Sequence, residues 1–378
     1  MPYPSALLAK YKVGKTIGKG GFGKIKLVTR LGTKHVRALK IMRKRAQEAT
    51  WQRELDILPL LKHPNVVKYY CHFESKTRIF IVFEFCAGGD LFQMICDKDC
   101  LSEIEAKPIV AQLLSALEYC HGNLLAHRDI KPENILLDAE GRIRLADFGF
   151  AKMISTTGMT GTSLGSLDYT AVEVYSYQPY DPFLSDVWSL GMTIAVMVLG
   201  FLPFEESDSE QLTACFQLGV VPELMLDFDK HKRPTSPEFR DLIRLLLNPS
   251  PDQRLKLDRV KRHPWLRGYH VDSRLPEREP VLEAGIDRGL VDIVANLTHC
   301  SRDELKAILT EPRRDCLGFS IYHLLLERQE EQLRPHLKVE DRTLSGTELT
   351  RSAVVDPDTP PVLRMRRRAK KIRITSIV

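Results

Sequence analysis

The run His127-Arg128-Asp129-Ile130-Lys131-Pro132-Glu133-Asn134 constrains this chain more than any other stretch. It sets a carboxylate, an ammonium and an amide at fixed spacing, and a second carboxylate follows in Asp147-Phe148-Gly149. Five of its positions, the His, Arg, Asp, Lys and Asn, would fall together by accident in about one chain of this length in ten thousand. Ile135-Leu136-Leu137 and Ile143-Arg144-Leu145 bracket a turn at Asp138 to Gly141. That pattern predicts a short hairpin that carries Asp147 back toward the polar run.

Composition bounds the rest. A chain of 378 residues with 43% hydrophobic and 28% charged residues can bury a sizeable core in two or three domains. No apolar run is expected to span a bilayer, and Met1-Pro2-Tyr3-Pro4-Ser5 lacks the regions of a signal peptide. The expected compartment is the cytoplasm, with the nucleus or a membrane surface as alternatives. Eight cysteines without a C-x-x-C pair read as reduced thiols rather than a disulfide framework or zinc site. The net charge is +6, and residues 364–378 hold seven Lys or Arg and no acid, so the remainder sums to 6 − 7 = −1 and the basicity is assigned to a tail.

Toward the start, Tyr11, Val13 and Ile17 precede Gly18-Lys19-Gly20-Gly21-Phe22-Gly23, and Lys24-Ile25-Lys26-Leu27-Val28 follows. A lone G-x-G-x-x-G occurs by accident in about one chain in fourteen, but strand on both sides predicts a hairpin flap over phosphates rather than a dinucleotide site, which needs a helix next. Arg37-Ala38-Leu39-Lys40 continues as strand, and a helical pattern over 46–61 offers Glu54, with Glu48 as rival, to pair with Lys40. Ile79 to Phe85 reads as a buried strand leading into Cys86-Ala87-Gly88-Gly89-Asp90. Cys86 is expected to be an inert packing thiol, with no cation near in sequence to activate it. Ser102-x-x-Glu105 is a capping box for a long helix to Cys120, within which Pro108 demands a kink or a later start. Asp186-Val187-Trp188-Ser189-Leu190-Gly191 begins a strongly apolar helix, and Arg254 with His263-Pro264-Trp265 closes the domain structurally. After a charged, proline-punctuated linker come three short helical patterns: Leu290, Ile293, Val294 and Leu297 on one face; Ser301-x-x-Glu304 capping Leu305, Ile308 and Leu309; and Leu317 to Leu326. Some forty residues bury little by themselves, so this module is expected to pack on the preceding domain. Beyond about 335 the periodicity fades into a disordered, basic tail.

Residues 11–265 resemble the protein kinases, and within them the AMPK-related branch of the calmodulin-dependent group. The resemblance implies an α+β, bilobal protein-kinase fold with a small β-rich N-lobe and a large helical C-lobe. The expected domains are kinase over 11–266, linker 267–284, a three-helix ubiquitin-associated-like module 285–331 and a tail 332–378. It implies a Ser/Thr protein kinase using ATP and Mg²⁺. Asp129 would accept the substrate hydroxyl proton, Lys131 would stabilise the moving phosphoryl, and Asn134 with Asp147 would hold the metal. Ile17, Gly18, Gly20, Gly23, Ile25 and Ala38 would enclose the nucleotide and Lys40, paired to Glu54, would grip its phosphates. By the same resemblance Phe83 is the gatekeeper, the Glu84 and Cys86 backbones bond adenine, and Asp90 lies near the ribose. Thr162 would be the activation-loop site, with Arg128 pairing its phosphate.

The chain departs from the family pattern at Arg37, where V-A-I-K has Val, and at Val172, where A-P-E has Pro. With Glu173 still able to pair with Arg254, weakened local rigidity is expected rather than lost activity. Thr298-His299-Cys300-Ser301 stands where ubiquitin-associated domains carry a Met-Gly-Phe or Met-Gly-Tyr loop, so ubiquitin is not an expected partner. Kinases of this branch usually end in a lipid-binding domain, and the sequence stops before one. Expected partners are Ser/Thr-bearing protein substrates, and an anionic membrane or nucleic acid for the tail. The rival reading, a pseudokinase scaffold, has no need to keep Lys40, Asp129, Asn134 and Asp147 together.

Overall fold

A computed structural model describes residues 3–20, 23–44, 55, 57–153, 167–176, 179–203, 228, 234–271, 286–298, 301–310, 321–323 and 325–326. Contacts divide the chain into Met1–Leu326 and Glu327–Val378, and the second unit, with the basic tail, lies outside the described residues. After a short helix α1 (Ser5–Leu8), strands β1 (Tyr11–Gly20), β2 (Gly23–Arg30), β3 (Val36–Arg43), β4 (Tyr69–Glu74) and β5 (Arg78–Glu84) form one antiparallel sheet in the order β1-β2-β3-β5-β4. The glycine run is the turn of the β1–β2 hairpin, which pairs from Tyr11↔Arg30 to Gly20↔Gly23. Period-two alternation then sorts the side chains. Ala38 and Lys40 lie opposite Phe83 and Ile81, whereas Arg37 and Leu39 lie opposite Glu84 and Val82 on the other face. That second face buries Val28, Leu39, Phe80 and Val82 under Leu7, with the Tyr3 ring 5.9 Å from Phe80. Arg37 in place of Val finds its own support there, with its guanidinium 3.9 Å from the Tyr70 ring centroid.

The C-lobe opens with α2 (Leu91–Lys98) and α3 (Glu103–Gly122). Ser102 and Glu105 cap α3 reciprocally, so the helix starts before Pro108 and continues past it without a break. The carbonyl that Pro108 deprives of a donor belongs to Ile104, at an exposed position where water can replace it. Strands β6 (Leu125–Ala126), β7 (Ile135–Leu137), β8 (Ile143–Leu145) and β9 (Lys152–Met153) follow, with β7–β8 the expected hairpin. Helix α4 (Pro182–Leu199) corrects one expectation: its 18 residues have the length and mean hydropathy, 1.6, of a bilayer span. It faces protein instead, with 89% of its residues buried in the C-lobe core. Against it packs α5 (Pro237–Leu246), so closely at Gly191 that a Cβ there would sit 2.8 Å from Leu246 Cβ. A short α6 (Leu257–Val260) precedes Trp265. The His263 ring accepts the Trp265 N–H and meets Asp241, and the Trp265 indole donates to Glu103, a structural closure of the domain.

Val172, the replacement for Pro, is buried beside Glu173, whose carboxylate takes two Arg254 N–H groups at 2.6 and 2.8 Å. Arg254 also bonds the Leu184 and Asn248 carbonyls and stacks on Trp188. The pair therefore forms without the proline.

Beyond the linker, α7 (Arg288–Thr298) and α8 (Arg302–Thr310) gather with Ile321 and Tyr322 around a core of Leu290, Val291, Val294, Leu305 and Leu309. The capping box at Ser301 and Glu304 forms as its spacing predicts. Ile293, expected on the apolar face, is 47% exposed; the stripe runs through Val291 instead, because the helix turns about 100° per residue and 290, 291 and 294 share its inner arc. Most of the helix expected over 46–61, including Glu48 and Glu54, lies outside the described residues. The assignment of basicity to the tail alone also needs correction. The first acid in the chain is Glu48, and thirteen Lys or Arg precede it, so the first three strands form a second basic region that acid elsewhere offsets.

Candidate active site

The polar run from His127 lies between β6 and β7, and one carboxylate shapes its beginning. Asp186, in the first turns of α4 and buried, accepts the backbone N–H of His127 at 2.8 Å and of Arg128 at 2.7 Å, and meets His121 Nε2 at 2.9 Å. Arg128 sits at φ 64, a conformation that a non-glycine residue holds only when its surroundings insist. Its Nε donates to the Phe150 carbonyl, and its guanidinium bonds Tyr180. Nothing at the sequence level singled out Asp186. The signal available was a lone acid inside an otherwise apolar helix, since a buried charge needs partners.

Asp129, almost fully buried, has Lys131 Nζ at 2.9 Å from Oδ2. Asn134 Nδ2 donates to the Asp129 carbonyl at 2.7 Å and to its Oδ2 at 2.8 Å, which turns the amide oxygen away from both. Behind them, buried His127 has Nε2 on the Ala146 carbonyl at 3.1 Å and Nδ1 accepting the Asp129 N–H, so the ring ties Asp129 to the residue just before Asp147. Burial pushes its pKa down and keeps the imidazole neutral, although Asp186 and Asp129 pull the other way.

Asp147 takes the left-handed conformation, φ 62 and ψ 72. Its Oδ1 meets Lys40 Nζ at 3.0 Å. Burial alone would raise the Asp147 carboxyl, but the Lys40 ammonium, by its charge and its hydrogen bond, holds it below the usual carboxylate range. The ion pair described for Lys40 is thus with Asp147; Glu54, its expected partner, lies outside the described residues. Thr162 lies outside them too.

On the nucleotide side, Ile17 and Ile25 are exposed large apolar residues on the β1–β2 hairpin, with Ala38 beside Phe83 on the same sheet. Gly18 and Gly20 lie in β1. Gly23 has φ 150, and a Cβ there would overlap the Ile41 carbonyl at 2.0 Å, so only glycine closes the hairpin against β3. After Glu84 the chain passes Cys86, whose thiol burial pushes up to about 12 with help from the Glu84 carboxylate, which favours the protonated thiol over the nucleophilic thiolate. Gly88 and Gly89 then pair with Leu137 of β7. Asp90 has a local task that the sequence reading left out: it caps α2 by accepting the Gln93 N–H at 2.8 Å. Arg144, also missed, lies 2.9 Å from Asp138 and 3.4 Å from Glu84, and links the strand after the loop to the end of β5.

A family model described as "Protein kinase domain" matches residues 11–266. The chain belongs to the protein kinase family. Its relatives include CBL-interacting protein kinase 1 of Oryza sativa subsp. japonica, 36% identical over 301 residues, 74% of this chain and 64% of the relative. SNF1-related protein kinase catalytic subunit alpha KIN12 of Arabidopsis thaliana is 31% identical over 340 residues, 88% of this chain and 66% of the relative. Probable serine/threonine-protein kinase MARK-C of Dictyostelium discoideum is 32% identical over 364 residues, 93% and 45% of the two chains. The chain thus spans less than two thirds of each. These relatives fit the AMPK-related branch that the motifs resemble.

Protein kinases use ATP with Mg²⁺. The residues of this kinase suit both. Mg²⁺ prefers one or two carboxylates plus phosphate oxygens and water to an all-protein cage. Asp147 and the Asn134 amide oxygen are such hard donors, and no group of three His, Cys, Asp or Glu that could hold a metal occurs among the described residues. For ATP, Ile17, Ile25 and Ala38 would supply apolar contact and Lys40 a cation for its phosphates.

Proposed function

We propose that this kinase transfers the γ-phosphoryl group of ATP to Ser or Thr hydroxyls of protein substrates. The observation that carries the reading is the convergence of Asp129, Lys131 and Asn134 within hydrogen-bond reach of one another, on a loop tied to Asp186. Asp129 orients the attacking hydroxyl and takes its proton. Lys131 offsets charge on the phosphoryl group as it moves, and Lys40 holds the α and β phosphates. Asn134 and Asp147 would hold Mg²⁺, whose chemistry is to neutralise phosphate charge in the transition state. Positioning and electrostatics supply the rate, so every role falls to a charged or amide group. Nothing observed favours a pseudokinase.

Basic residues upstream of the target hydroxyl are the preferred substrates in this reading. Glu133, beside the catalytic loop, has an Oε2 that is buried without a hydrogen-bond partner, and burial raises its carboxyl despite nearby Lys131. A cation from the substrate would satisfy it, with Asp90 on the same side. Thr162 is the proposed activating phosphosite, with Arg128 as its phosphate partner. Within the AMPK-related branch we place the chain nearest the maternal embryonic leucine zipper kinase, from Gly200-Phe201-Leu202-Pro203-Phe204 and the helical module. The module acts as an internal brace on the kinase domain rather than a ubiquitin receptor, and the tail contacts anionic membrane or nucleic acid from a cytoplasmic or nuclear location. Labelled ATP with a peptide array tests the catalytic reading. Incorporation into Ser and Thr peptides with upstream Arg or Lys, abolished by Asp147→Asn, is expected. Equal rates for acidic and basic upstream residues would remove Glu133 and Asp90 from recognition, and no incorporation at all would favour the scaffold.

A further inference from the structure

The far end of the N-lobe sheet carries a surface that catalysis does not use. The backbone N–H of Leu31, in the β2–β3 turn, donates to the Lys10 carbonyl at 2.9 Å, and Arg30 donates to His35 at 3.0 Å. These bonds bring the end of α1, the start of β1 and the β2–β3 turn into one tip. Three large apolar residues stand out from it: Leu8, Leu31 and Val36 are 48%, 50% and 40% exposed. They are three of only seven such residues among those described, and two of the other four, Ile17 and Ile25, belong to the nucleotide slot. Lys10, Arg30 and Lys34 surround the three, all exposed, and none has a carboxylate within ion-pairing distance among the described residues. The sequence explains why: no acid occurs before Glu48.

We propose that this tip docks on an anionic lipid bilayer, with Leu8, Leu31 and Val36 entering the headgroup region and Lys10, Arg30 and Lys34 meeting lipid phosphates and carboxylates. Exposed aliphatic side chains ringed by cations match an interface whose outer layer is negative and whose next layer is apolar. Nucleic acid fits less well. Its phosphates would welcome the cations, but single strands are gripped by aromatic stacking, and the tip offers Leu and Val instead. The orientation leaves catalysis free: the glycine turn lies at the opposite end of β1 and β2, roughly 30 Å away along the strands. The tip would hold the kinase at a surface with its cleft unobstructed.

Vesicle flotation tests this independently of any activity. The tail could also bind vesicles, so the full chain is used with its seven tail Lys and Arg changed to Gln. Vesicles of phosphatidylcholine with about a third phosphatidylserine should float the protein, and pure phosphatidylcholine should not. Each cation lost should weaken partitioning by about fivefold, so Lys10→Glu with Arg30→Glu and Lys34→Glu should abolish it. Leu31→Ser with Val36→Ser should weaken it at least tenfold while melting temperature and the rate on a soluble peptide stay unchanged. The proposal is overturned if partitioning is absent, if both variant sets float like the parent, or if only the charge changes matter and a single-stranded RNA binds the tip as tightly as the vesicles do.

Discussion

Asp186 shows how one residue remote from the chemistry sets its geometry. Its carboxylate accepts two consecutive backbone N–H groups at the start of the catalytic loop, and these fix Arg128 at a positive φ. Asp186→Asn offers one oxygen and one donor where two donors converge, so the loop shifts. A displacement near 1 Å costs catalysis about a hundredfold. We expect kcat to fall by about that factor with KM for ATP little changed, because Asp186 lies outside the nucleotide slot; a matching rise in KM would contradict a positioning role. His127 gives a pH prediction at the same scale. Its folded pKa is lowered from 6.5 by burial, so the unfolded chain binds the extra proton first as pH falls. Stability should be full above about pH 6.5, decline below it, and level off once the folded imidazole also protonates. Melting temperatures from pH 8 to 5 should show this slope, and His127→Gln should flatten it.

Among elements, the α4–α5 contact leaves no room for a side chain at Gly191. Gly191 lets α5 approach until Leu246 Cβ and Leu247 Cδ2 lie 2.8 and 2.9 Å from where a Cβ would stand. Gly191→Ala should gain helix propensity, ~1 kcal/mol, yet lose more by forcing the helices apart, typically 1–3 kcal/mol for overpacking. Net destabilisation in urea is the expected result, and a more stable variant would mean that the Leu246 and Leu247 side chains yield. The opposite outcome holds for Pro108, which breaks a rule of helix interiors at little cost because the orphaned carbonyl is on the wet side.

At the scale of the whole molecule, the activating role proposed for Thr162 depends on how phosphate reaches it. Gly158-Met159-Thr160-Gly161 before Thr162 contains no Arg or Lys, so this site matches poorly to the upstream basic preference proposed for Glu133. Phosphate should reach it by pairing of two molecules. Protein made in bacteria is expected to carry phosphate on Thr162, and Asp129→Asn made the same way is expected to lack it. Mass spectrometry decides: phosphate on neither points to a separate kinase, and full activity in Thr162→Ala excludes the site from control.

Much of this was legible in the linear chain. Strand alternation, the glycine hairpin, both capping boxes and the β7–β8 turn depend on neighbours a few residues apart, and local steric and hydrogen-bonding rules specify them. The spacing of Asp129, Lys131 and Asn134 is short enough that one loop decides it. Three-dimensional packing decided the rest. Lys40 meets Asp147 across 107 residues, and Asp186 reaches the catalytic loop across 58 and 59. No local rule encodes such pairs, because a buried charge needs a partner but the sequence does not say which. The cluster at the N-lobe tip has the same origin: its apolar and basic residues are ordinary one by one, and only the hydrogen bond from Leu31 to Lys10 makes them one surface.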